Sequence, residues 1–116
     1  MGFLVGLWLT STAWAQSVTP TSRLAWDQQA ATVAEAQALT YRYFADGGTT
    51  GVSVTGVTCT GPTAPFVCQV PFPAFTPGAH TIRLTAGNTA GESALSAALS
   101  FVFVVIPTPP ANLRIQ

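Results

Sequence analysis

"FTPGAHTIRLTAGNTAGES", residues 75–93, is a turn, an alternating run and a second turn. Pro77-Gly78 opens it. His80, Ile82, Leu84 and Ala86 fall on one face and Thr81, Arg83 and Thr85 on the other, while Gly87-Asn88 through Gly91 close it. A period of two bounded by turn residues is the signature of a half-buried β-strand, so this stretch predicts sheet with the aliphatic comb facing a core.

The same period recurs on either side. "SRLAWDQ" sets Leu24 and Trp26 apart from Arg23 and Ala25. "ALTYRYF" sets Leu39, Tyr41 and Tyr43 against Thr40, Arg42 and Phe44, and "ADGGTTG" then breaks the run. "VSVTGVTC" and "FVCQVPF" flank a turn-rich loop and are expected to pair, with Pro71 and Pro73 limiting the second to an edge or a short run. "ALSAALSFVFVVI" buries Phe101, Phe103 and Val105 or their opposite face. Gln28–Gln37, "QQAATVAEAQ", has helix-forming composition but no apolar stripe, and reads as a loop with a helical turn at most. Short strands at this spacing in a chain of 116 residues predict one all-β domain, a two-sheet sandwich of about seven antiparallel strands.

Composition narrows the partners. Four basic and four acidic residues leave no net charge, hence no basic field to hold a nucleic acid. Residues 1–15, "MGFLVGLWLTSTAWA", carry an apolar run and an Ala13-Trp14-Ala15 cleavage pattern, and read as a secretory signal peptide too short to span a bilayer. Export to an extracellular or periplasmic location follows, with no membrane attachment once the leader is removed. In that compartment Cys59 and Cys68 are expected to form a disulfide across a hairpin, since two thiols and the single His80 make neither a zinc site nor a redox motif.

On these residues the chain resembles a fibronectin type III domain over residues 22–106. Pro77, Gly78, Ile82, Leu84, Ala86, Asn88, Gly91 and Ser93 match the family's P-G-x-Y-x-[VI]-x-[VL]-x-A-x-N-x-x-G-x-S line, and Trp26 and Tyr41 fall where it keeps its core tryptophan and inward tyrosine. His80 stands where the family places the tyrosine of its tyrosine corner, and an imidazole can likewise donate to a backbone carbonyl. The resemblance implies a non-catalytic extracellular module of bacterial type, binding a protein or glycan or spacing neighbouring domains.

The residues themselves point to no catalysis and no cofactor or metal. Asp27, Glu35, Asp46 and Glu92 are scattered over strand ends and loops, and there is no nucleophile elbow, phosphate loop or calcium loop. Contacts are expected from loops 45–51, 28–37 and 87–93, with Arg42, Phe44, Asp46 and Asn88 as candidates and Phe44 as the aromatic expected to reach solvent. An accessory carbohydrate-binding module is the rival reading. The tail 107–116, "PTPPANLRIQ", reads as a linker or the start of another strand or module, in which Leu113 and Ile115 could anchor strand addition in an assembly of copies.

Overall fold

Alternation becomes pairing in the computed structural model, which describes residues 15–116. The leader read at 1–15 lies outside the described residues, save an exposed Ala15. Nine strands and one helix follow in order: β1 (Gln16–Val18), β2 (Arg23–Gln28), α1 (Val33–Ala38), β3 (Thr40–Ala45), β4 (Val52–Val54), β5 (Thr58–Thr60), β6 (Phe66–Pro71), β7 (Gly78–Asn88), β8 (Gly91–Glu92) and β9 (Leu99–Phe103). One sheet has the order β1-β9-β7-β3-β4 with β8 paired to β7, and the other the order β2-β6-β5. This is a mostly-β, two-sheet sandwich.

The strand count exceeds the expected seven for reasons both local and long-range. "VSVTGVTC" is two strands in different sheets, broken around Gly56, whose φ of 78° lies in the left-handed region that favours glycine. Gln16–Val18 pairs parallel with Phe101–Phe103, which no local pattern announced. The last apolar run stops as a strand at Phe103, leaving Val105 half exposed. Pro71 does not confine β6 to an edge: β6 is the central strand of its sheet and Pro71 is its last residue. Phe72 N–H donates to Ser22 O at 2.9 Å, so hydrogen-bonded and open pairs alternate from there, and Pro71 opposite Arg23 occupies an open pair that needs no N–H.

The segment read as loop contains α1. Thr32 caps it by accepting from Glu35 N, Glu35 Oε1 reaches back to Ala31 N, and Leu39 leaves the helix in extended geometry. The helix carries the chain from one sheet to the other, and its Ala36 is wholly buried.

Two clusters make the core. At one end Val18, Leu24, Val70, Phe72, Ile82 and Phe101 pack together with Phe103. At the other, Ala36, Tyr41, Phe66 and the Cys59–Cys68 disulfide meet, and Trp26 touches both clusters. The cysteines face each other across the β5–β6 hairpin, as expected. Tyr41, on β3, meets Trp26, on β2, edge-on at 5.0 Å and donates its hydroxyl to Ala36 O at 2.8 Å. Burial pushes the Tyr41 hydroxyl pKa up, so it stays a donor.

Replacing both cysteines by alanine should cost about 2.5–3 kcal/mol by chain entropy, and Tyr41→Phe about 1 kcal/mol for the buried hydrogen bond. Denaturant unfolding of the three proteins checks both values.

Candidate functional site

The register of β3 on β7 decides which loops meet. Thr40 pairs with Gly87 at one end and Ala45 with Ile82 towards the other, so the chain leaves β3 at the end opposite the β7–β8 turn. Of the three loops expected to make contacts, 28–37 and 87–93 therefore converge, and 45–51 lies away from them. The 61–65 loop, between β5 and β6, joins the converging pair, because Phe66 sits opposite Gln28.

Between the converging segments lies an open groove of about 430 Å³, with Gln28, Gln29, Glu35, Asn88 and Ser93 supplying its polar groups. Ala30, Leu39, Ala86 and Ala90 supply the apolar walls. Amides, a hydroxyl and a carboxylate suit hydrogen-bonded recognition of a polar surface. Asn88 Oδ1 accepts from Ala90 N at 2.8 Å, which shapes the tight turn before Gly91. Ser93 has a structural task as well: its N–H donates to Ala86 O, and its hydroxyl oxygen accepts from Ala86 N. Ser96 repeats the arrangement on Leu84, so two serines line β7 where β9 has not yet begun.

The outer face of the larger sheet holds a polar cluster. Arg42 grips Glu92 through two 2.7 Å bonds, and Glu92 Oε2 also accepts from the buried Thr85 hydroxyl at 2.5 Å. The Arg42 and Thr85 bonds hold the Glu92 carboxyl down at about 2. Phe44 was expected at the surface and is buried, 7% exposed. The Arg42 guanidinium lies over its ring at 5.3 Å, and the chain at Gly51 closes on both, where a Cβ would come within 2.8 Å of each.

Asp46 occupies the opposite end of the sandwich. Asp46 and Gly47 both have positive φ, and Gly48 N–H returns to Ala45 O, the type I′ geometry that Asp-Gly favours. The Asp46 carboxylate then accepts from Thr81 N at 3.0 Å and from His80 Nδ1 at 2.8 Å. His80 Nε2 meets Thr76 O at 2.8 Å, the upstream carbonyl contact anticipated for a corner residue. With an acceptor on each ring nitrogen, the imidazolium is the favoured form. Its pKa is raised by Asp46 first and Thr76 second, and that of Asp46 is lowered by His80 and Thr81.

Tyr41 is buried and Trp26 half-buried, with its indole nitrogen enclosed and unbonded among the described residues. Ile82 is buried, and Leu84 and Ala86 pack against the core from the same face. The expected loops 28–37 and 87–93 contain Glu35 and Ser93 without singling them out, and the Arg42–Glu92–Thr85 cluster was not expected. The Thr32-x-x-Glu35 spacing of a capping box was the one local signal available. Among the described residues no three His, Cys, Asp or Glu side chains gather as metal ligands, and no helix is long and apolar enough to cross a membrane.

The His80–Asp46 clamp carries a pH signature. His80 titrates at 6.5 when unperturbed and higher here, so its contribution is complete below 6.5 and lost as pH climbs through the raised value. Asp46, lowered from 3.8, contributes above that value and loses its contribution as pH falls through the lowered one. Thermal unfolding between about pH 5 and about pH 9 should show the midpoint declining on the alkaline side, and His80→Phe should flatten that decline.

No protein-family model matches this chain and no curated protein matches it. The assignment rests on strand order and core: a β-rich two-sheet sandwich compatible with an immunoglobulin-like fold.

Proposed function

We propose that the chain is a non-catalytic extracellular binding or spacer module of the fibronectin type III type, engaging a protein partner through the end of the sandwich that gathers loops 28–37, 61–65 and 87–93. The observation that carries this reading is the open groove between Gln28–Ala30 and Ala86–Ser93, walled by amide, hydroxyl and carboxylate groups on a disulfide-stapled scaffold. Loops at one end of a rigid sandwich are a common contact surface. His80 at the corner and the Trp26–Tyr41 pair support the family type. The disulfide supports an oxidising, extracellular or periplasmic location.

Adhesion or domain spacing therefore has more support than carbohydrate binding, because Trp26 and Tyr41 pack inward and do not offer a stacking platform. The dispersed acids support the non-catalytic part: Glu92 and Asp46 are each committed to a neighbouring side chain, on different parts of the molecule.

The test compares the protein with a Gln29→Arg/Asn88→Arg variant for retention on immobilised extracellular proteins, on intact cells and on insoluble polysaccharides. Protein or cell retention that falls about tenfold in the variant is the expected result. Retention by a polysaccharide instead would replace this reading with the carbohydrate-binding one.

A further inference from the structure

In the smaller sheet, β2 is an edge strand with its outer side open. Among the described residues the segment before it does not pair with it, because Gln16–Val18 has crossed to β9 in the other sheet. Among the described residues β2 is also the longest edge: β1, β4 and β5 have three residues each and β8 two, whereas β2 has six. Long open edges are where another strand can add.

Hydrogen-bond alternation says which groups are on offer. Ser22 O is bonded to Phe72 N, so Leu24, Trp26 and Gln28 face β6 with their backbone groups. Arg23, Ala25 and Asp27 turn their N–H and C=O outward. Behind this edge the sandwich is open along its side. One cleft of about 290 Å³ is bounded by Val18, Leu24, Phe72 and Phe101, and a second of about 200 Å³ by Trp26 and Leu84. Both flank β2, and the second lies where Ala94–Ala98 forms no strand. Room therefore exists for one added strand whose alternate side chains continue the Leu24 and Trp26 row.

The chain carries such a segment elsewhere. Residues 107–116 are exposed throughout and form no strand, so the tail does not pair with a sheet of its own molecule. Leu113 is 85% exposed and Ile115 98%. These two share one side of an extended chain and Arg114 takes the other, where it could meet Asp27 at the edge. Pro107, Pro109 and Pro110 stiffen the approach as an extended spacer of about 3.1 Å per residue, which holds 111–116 off its own body. The open concavity at the tail is lined by tail residues alone.

We propose that residues 111–116 of one molecule add as an edge strand to β2 of a second copy, seating Leu113 and Ile115 in the lateral clefts. The donor segment and the acceptor edge are different surfaces, so the contact is head-to-tail and builds assemblies of copies, rings where the rotation closes and open chains where it does not. The inference stands on strand order and the exposed tail, and is independent of the partner proposed for the loop end.

Complementation tests it. Ala25→Pro removes an outward N–H without touching the β6 ladder, and Leu113→Asp/Ile115→Asp spoils the donor. Light scattering on the full chain from about 10 µM to about 1 mM should show mass rising with concentration, and each variant alone should lose that rise. Mixing the two variants should restore association but stop it at a pair, since one supplies only the tail and the other only the edge. Amide exchange at Ala25 and Asp27 should slow on association, a reading that does not depend on the proline variant folding. A strict monomer at about 1 mM, a mixture that does not pair, or unchanged exchange at those two amides overturns the proposal.

Discussion

Tyr41 is the ring on which the two layers close. It stands on β3 of the larger sheet, yet its neighbours are Trp26 and Cys68 of the smaller one, with its oxygen 3.8 Å from Cys68 Sγ. Its hydroxyl is tied to Ala36 O on the helix that joins β2 to β3. One side chain thus fixes the separation of the sheets and the path of the connection between them. Alanine at 36 is part of the arrangement, because a wholly buried position this near the ring leaves no room for a larger side chain.

The far end uses a related device with different chemistry. His80 reaches Thr76 O much as Tyr41 reaches Ala36 O, each ring bonding a carbonyl four or five residues upstream. The imidazole also lies 5.0 Å from the Phe75 ring, which in turn meets Phe101 edge-on at 4.9 Å. The aromatic cluster supplies apolar burial at that end, and Asp46 supplies the charge that favours the protonated ring. A half-exposed carboxylate makes the second contribution sensitive to salt, whereas the aromatic one is not.

Much of this was legible where the controlling interactions are local. The run through Ile82, Leu84 and Ala86 announced a strand and its inward face, and the two cysteines announced their own hairpin, because period and turn chemistry are written within a few residues. β1 was not legible: Gln-Ser-Val has no pattern, and its partner lies near the other end of the chain. Phe44 was misread for a similar reason. Its position on the outer face was evident, but its burial depends on Arg42 and on a loop closing at Gly51, neither of which a strand pattern encodes. The groove's loops were each named from turn chemistry, and only the register of β3 on β7 shows which of them meet.

The parallel pairing of β1 with β9 also orders events in time. Synthesis delivers β2, β5 and β6 well before β9, so the smaller sheet and its sulfur bridge can form on a nascent chain. The larger sheet can begin with β3, β4 and β7 but stays incomplete, since its opening strand finds a neighbour only when Phe101–Phe103 emerges. Until then Val18 and Leu24 have Phe72 but lack Phe101 and Phe103, and the half-made molecule exposes apolar surface that a complete one covers.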